Sequence, residues 1–172
     1  MRILPLFICA CILFTAAKAF ACSCMYSDEP LADQVKSAFI EAPAVVLAKA
    51  ESVEGIDPYS LTETTEDGEK QTVDYFATEI TEFVALQSWK GEHGKRFYTK
   101  IQVSCCLCGY SFQEGVTYLL YLYGPSEDGY YSTSSCTRTQ QVRAQTQQEI
   151  DILNTLDALS LIEDAKPTHS DQ

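Results

Sequence analysis

The spacing of apolar residues changes several times along the chain, and each change predicts an element. Ile3 to Ala17 is an apolar run, shorter than the ~18–20 residues of a membrane-spanning helix. Leu31, Val35, Ala38, Phe39 and Ala42 recur at helical spacing, with Asp28 and Pro30 as start signals. Ala44 to Val53 is β-branched and apolar enough for a strand. Glu54 to Thr72, which contains Pro58 and Gly68, is polar and acidic with no apolar period, and reads as a solvated loop. Tyr75 to Trp89 predicts a long strand. Phe76, Thr78 and Ile80 share one face, and the apolar set then shifts to include Phe83 beside Val84. Such a change of phase predicts a bulge and a sharp bend.

After Trp89-Lys90-Gly91, the residues Phe97, Thr99, Ile101 and Val103 alternate with Tyr98, Lys100, Gln102 and Ser104, a half-buried strand. Thr117 to Tyr123 is apolar on both faces, which predicts a central strand, and Tyr130 to Cys136 is the last strand expected. Five strands, one long and bent, predict a mainly β fold class: a five-stranded closed barrel of the OB type. Val142, Ile150, Leu153, Leu156 and Leu159 lay an apolar stripe along a helix of about five turns, so helices flank the barrel at both ends. The expected division is 1–21 targeting segment, 22–140 barrel domain, 141–163 helix packed on the barrel, and 164–172 disordered tail. There is no internal repeat, glycine-rich phosphate loop or domain linker.

Composition narrows the class. A length of 172 residues suits one domain, and 46% hydrophobic with 11% aromatic residues excludes a disordered or fibrous chain. Twelve Lys+Arg against 24 Asp+Glu leave a net charge of −12, the wrong sign for a nucleic-acid binder. Arg2, the run broken by Pro5, and Ala19-Phe20-Ala21 together make a secretory signal peptide, which predicts a secreted protein, extracellular or periplasmic. Cleavage after Ala21 removes 21 of 172 residues and leaves 151, beginning Cys22-Ser23-Cys24. Of eight cysteines, Cys9 and Cys11 leave with the signal; Cys22, Cys24, Cys105, Cys106, Cys108 and Cys136 remain. An even set in an exported chain reads as disulfides, although six cysteines allow fifteen pairings. Two alternatives stay open: cleavage after Ala19, and lipidation of Cys22, which would anchor the chain to a membrane.

Cys105 and Cys106 are adjacent, and neighbouring Cα atoms ~3.8 Å apart are too close for an ordinary bridge. Cys105 and Cys108 spell Cys-x-x-Cys, a redox or metal spacing, but they follow a strand without the helix that a redox motif uses. A zinc knuckle would need two more ligands, and the only histidines are His93 and His169. Cys105 and Cys106 keep no assigned partner: they could bond to each other, cross-link two chains, or rearrange the pairing of the other cysteines.

Cys22-Ser23-Cys24 directly after a signal, AVVLAKAESV, Ser88-Trp89-Lys90-Gly91, Cys108-Gly109 with Phe112, Gly115 and TYLLYLY, and finally Cys136 follow in the order of landmarks of a known family. Over about 22–140 the chain resembles the tissue inhibitors of metalloproteinases and, more broadly, the netrin-like (NTR) module. The resemblance implies an OB barrel with disulfides Cys22–Cys108 and Cys24–Cys136. It implies an inhibitor rather than an enzyme, with no cofactor of its own, acting as a monomer on a zinc metalloprotease. In that family the α-amine and carbonyl of the first cysteine chelate the protease's zinc, which here is the role of Cys22. Ser23 would enter the specificity pocket, with Cys24 and Met25 in the cleft beside Cys106-Leu107-Cys108. The acidic stretch 54–72 corresponds to the family's first long hairpin. Met25-Tyr26 lacks the proline common there in animal inhibitors, and the chain after Gln140 is too short for their second domain. Two other classes compete. One is an NTR-type binding module without a protease target, lipid-anchored if Cys22 is acylated. The other is an enzyme, either a thiol oxidoreductase through Cys105–Cys108 or a hydrolase with Cys22 as nucleophile.

Overall fold

A computed structural model of the chain describes Cys24, residues 27–104 and residues 108–164, with side chains described as far as Ala158. The expected signal peptide and C-terminal tail lie outside the described residues. Pro30 enters helix α1 (Leu31–Glu41). Strands β1 (Ala44–Thr64), β2 (Lys70–Lys90), β3 (Arg96–Gln102), β4 (Thr117–Leu122) and β5 (Gln140–Gln141) follow, then helix α2 (Thr146–Asp164). The strands form one antiparallel sheet in the order β3-β2-β1-β4-β5, so the chain is mainly β with a helix at each end.

β4 and residues 44–48 of β1 are buried on both faces, and this explains their nearly continuous apolar sequences. Ala44, Val46, Ala48 and Ala50 of β1 join Tyr118, Leu120 and Leu122 of β4 in a first core with Phe83, Phe97, Ile101 and Phe112. At its centre Phe83 stacks on Phe97 at 5.3 Å and takes Phe112 edge-on at 4.9 Å. The alternate residues Val45, Leu119 and Tyr121 face the other way, into a second core with Val35 of α1, Trp89, and Ile150 and Leu153 of α2. Period-two alternation sorts one strand into two cores.

Trp89 and Lys90 fasten both helices to this second face. The Trp89 indole N–H and the Gln87 amide each donate to Asn154 Oδ1 of α2 at 2.8 Å. Lys90 Nζ donates to the carbonyls of Phe39 and Ile40 at 2.8 and 2.9 Å. α1 carries no basic residue in its last turn, so Lys90 supplies the cation that its C-terminal carbonyls favour.

The acidic stretch expected to be a solvated loop is instead strand. β1 and β2 run on together from Pro58 to Thr64 and from Lys70 to Phe76 as a two-stranded ribbon, beyond the reach of β3. Its turn closes through Thr65 N–H to Glu69 O at 2.8 Å and Gly68 N–H to Thr65 O at 2.9 Å, with Gly68 at φ +82°. Tyr59 stacks on its partner Tyr75 at 5.7 Å, Tyr75 donates to Glu63, and Ser60 donates to Asp74. With most of the ribbon in solvent no alternation of polarity is required, which is why apolar periodicity missed it.

Bulging is present and more extensive than the phase change predicted. Pairing skips at Glu51 of β1 and at Leu86 and Trp89 of β2. The set sharing the first-core face of β2 is Glu79, Thr81, Phe83 and Ala85. Phe76 is 49% exposed and lies across Gly55, which has no room for a side chain beneath it.

The expected strand Tyr130–Cys136 is a second correction. Only single bridges occur there: Tyr131 to Thr99 of β3, parallel, and Ser132 to Tyr123, antiparallel. Tyr131 N–H donates to Tyr98 O and Lys100 N–H to Tyr131 O, each at 2.9 Å. Beyond Ser132 the threonine hydroxyls take over. Thr133 bonds both Thr137 and Thr139, at 2.8 and 2.7 Å, and Thr137 donates to Ser134 O. Local hydroxyl bonds of this kind compete with a strand ladder. As an array of named strands the sheet is open.

Leu120→Ala in the first core is expected to lower unfolding free energy by about 2–5 kcal/mol. Leu61→Ala on the exposed ribbon should change it by no more than about 0.5 kcal/mol. Urea unfolding measures both, and equal effects would contradict this division between core and ribbon.

Candidate functional site

Cysteines from the start, middle and end of the domain meet at one place. Cys24 forms a disulfide with Cys136 across 112 residues, with Cα atoms 5.0 Å apart, the pairing implied by the resemblance. The residue before Cys136 reaches the third cysteine: Ser135 donates to the Cys108 carbonyl through its N–H at 2.9 Å and its hydroxyl at 3.2 Å. Cys108 is itself in a disulfide. Closing a loop this long constrains the unfolded chain by roughly 4–5 kcal/mol on the chain-entropy estimate.

From Cys24 the chain runs as a short arm into α1. The Ser27 hydroxyl accepts from Glu29 N–H, and Gln34 Nε2 donates to the carbonyls of Ser27 and Glu29 at 3.1 and 2.6 Å. A groove of about 530 Å³ lies between this arm, α1 and the segment 135–140.

The connector carrying Cys108 is pinned at both ends. Val103 and Ser104 N–H donate to Ala77 O of β2. Gly109 lies so close to the Gln102 carbonyl that no side chain fits, which gives the Cys108-Gly109 pair a steric reason. Phe112 N–H donates to Glu79 Oε1 at 2.9 Å, and Gln113 N–H to the Tyr118 hydroxyl at 2.8 Å. Burial raises the Glu79 pKa, opposed by hydrogen bonds from the Phe112 amide and the Thr81 and Ser111 hydroxyls.

Of the residues singled out in the sequence, Cys24, Cys108 and Cys136 are brought together here. Cys22, Ser23, Met25, Cys105, Cys106 and Leu107 lie outside the described residues, as does the expected pairing of Cys22 with Cys108. His93 sits at the surface, its ring nitrogens 2.8 Å from Gly94 O and 3.0 Å from Ser88 Oγ. Among the described residues no group of three or more His, Cys, Asp or Glu side chains is placed to hold a metal. No helix among them is long and apolar enough to cross a membrane.

Sequence reasoning passed over a buried polar cluster beside the disulfide. Glu149 of α2, 2% exposed, accepts from Arg138 Nε at 2.8 Å and Nη2 at 2.7 Å, from Gln140 Nε2 at 2.7 Å and from the Tyr121 hydroxyl at 2.8 Å. Burial, and next the Glu149 charge, push the Tyr121 hydroxyl pKa far up. A signal was available: Glu149 precedes Leu153 by one helical turn, so it stands on the apolar stripe itself, where a charge demands a partner.

No known protein-family model matches the chain, and no curated protein matches it.

Two measurements check this geometry. Gly109→Ala should cost about 1–3 kcal/mol of stability by crowding the Gln102 carbonyl, and an unchanged melting profile would contradict the close approach. Glu79 has a folded pKa above its ordinary 4.5. The folded state therefore holds its proton more tightly, and acidification from neutrality towards 4.5 relieves a penalty paid by the charged form. The stability difference between the native chain and Glu79→Gln should shift in the native chain's favour across that window. A pH-independent difference would count against the assignment.

Proposed function

We propose that the mature chain is a secreted inhibitor of zinc metalloproteases, a monomer and not an enzyme, that uses Cys22 as its zinc-chelating residue. The observation that carries this reading is the Cys24–Cys136 disulfide, which fixes the start of the arm beside the disulfide-bonded Cys108. Cys22 lies two residues before Cys24, so their Cα atoms are at most ~7 Å apart. On this reading Cys22 is the partner of Cys108, and Ser23, Met25 and the strip Cys106-Leu107 flank the terminus.

The architecture supports the same family likeness. A closed barrel needs β3 to meet a segment that also reaches β4, and Tyr131 and Ser132 bond to β3 and to Tyr123 just past β4. We read this as closure of an OB-type barrel. The ribbon corresponds to the family's first long hairpin.

The chemistry follows from the terminus. A protease's catalytic zinc has three protein ligands and one open position holding the attacking water. The α-amino nitrogen and carbonyl oxygen of one residue are joined through a single Cα, so they close a five-membered ring on the metal and displace that water. The amine must be unprotonated; with an ordinary pKa of ~7.7–8.0 it releases a proton on binding, and inhibition should weaken as pH falls below that range. Disulfides that hold the terminus still remove an ordering penalty from association.

One extra residue before Cys22, or acetylation of its amine, is expected to reduce inhibition of a susceptible metalloprotease at least about a hundredfold, the scale of losing one well-placed ligand pair. The circular dichroism spectrum should not change. A blocked or extended chain that inhibits as well as the free one would rule out chelation by Cys22. A native free-amine chain that inhibits no metalloprotease would favour a binding module of the same fold.

A further inference from the structure

We infer that Gln34, Arg138 and Glu149 are positioning residues: α2 reaches through them to hold the N-terminal arm in one place. This deepens the inhibitor reading and rests on it only for what the arm presents.

The bonds form a directed chain. Glu149 is fully enclosed, and its two oxygens are occupied by Arg138, Gln140 and Tyr121. Two Arg138 nitrogens are thereby committed, and the third, Nη1, donates to Gln34 Oε1 at 3.0 Å. That contact decides which way the Gln34 amide points, because an arginine has only donors and must meet the carbonyl oxygen. With Oε1 fixed, Nε2 is turned towards the arm, where it donates to both Ser27 O and Glu29 O. Arg138 also lies two residues beyond Cys136. The covalent hold on Cys24 and the hydrogen-bonded hold on Ser27 and Glu29 thus issue from the same short segment.

A purely stabilising role accounts poorly for this arrangement. A buried carboxylate–guanidinium pair contributes little net stability over an apolar replacement, because desolvation opposes the attraction. What the pair supplies is orientation, since the planar guanidinium fork fits a carboxylate in a fixed geometry and leaves its remaining nitrogen aimed at Gln34. Gln34 itself is half-buried on the groove side of α1, where alanine suits the helix at least as well. Its three hydrogen bonds go to the arm and to Arg138.

The test compares the full mature chain with Gln34→Ala, Gln34→Glu and Glu149→Gln. Its readouts are amide hydrogen exchange in peptides covering 24–30 and the rate at which a water-soluble phosphine reduces Cys24–Cys136 in the folded protein. Gln34→Ala should speed arm exchange and reduction about tenfold, the scale of one lost hydrogen bond, with exchange in β1 and β4 unchanged. Gln34→Glu should be no better, since a carboxylate cannot donate to the Ser27 and Glu29 carbonyls. Glu149→Gln should loosen the arm in the same direction while the fold persists. Native-like exchange at 24–30 in Gln34→Ala, or in a folded Glu149→Gln, overturns the inference. A native chain that inhibits no protease would defeat the inhibitor reading and leave these readouts decisive, because neither involves a protease. If the native chain inhibits and Gln34→Ala inhibits equally well with a loosened arm, the positioning role is overturned.

Discussion

The antiparallel pairing of β1 with β4 carries the molecule, because both faces of the sheet are buried there. Ala48 of β1 pairs with Tyr118, and Leu47 with Leu119. The first pair turns into the aromatic core around Phe83, and Leu119 turns towards α1 and α2. Everything attached to the sheet is referenced to these two strands. The helices close one face, and the segment between Tyr131 and Gln141 bonds back to β4 through Ser132, Thr139 and Gln140. A disulfide placed in that segment is therefore tied to the buried strand β4.

That placement gives Cys136 its role. A disulfide on a loose loop would join two mobile segments and order neither. Here Cys136 follows Ser135, bonded to Cys108, and precedes Arg138, locked to Glu149. The arm beginning at Cys24 inherits the rigidity of the sheet by covalent and hydrogen-bonded routes together. An arm held in this way has little freedom left to lose in any association. The acidic ribbon obeys a different rule: solvated on most of its surface, it is held by ladder bonds and side-chain pairs such as Tyr75 with Glu63.

Much of this was legible in the sequence where burial imposes a period. The clean alternation of Phe97, Thr99 and Ile101 is strand β3, and the doubly apolar TYLLYLY is the doubly buried β4. Legibility failed where burial does not set the pattern. The ribbon 58–76 has no consistently buried face, so its residues carry no period to read. The run after Tyr130 has strand-like composition, yet Thr133, Thr137 and Thr139 satisfy one another and the backbone locally. At the candidate site, the Cys24–Cys136 pairing implied by the resemblance is the disulfide present. Gln34, Arg138 and Glu149 lie 104 and 11 residues apart along the chain, and no local pattern announces a network that only the fold assembles.

The central claim is that the mature protein presents a free amine on a disulfide-held Cys22. Intact mass and disulfide-linked peptide mapping of the secreted protein, under non-reducing conditions, test it most directly. The account requires a chain that begins at an unmodified Cys22, with Cys22 linked to Cys108 and Cys24 to Cys136. A chain beginning at Phe20, a lipid or other block on the amine, or Cys108 linked to Cys105 or Cys106 in place of Cys22 would contradict it.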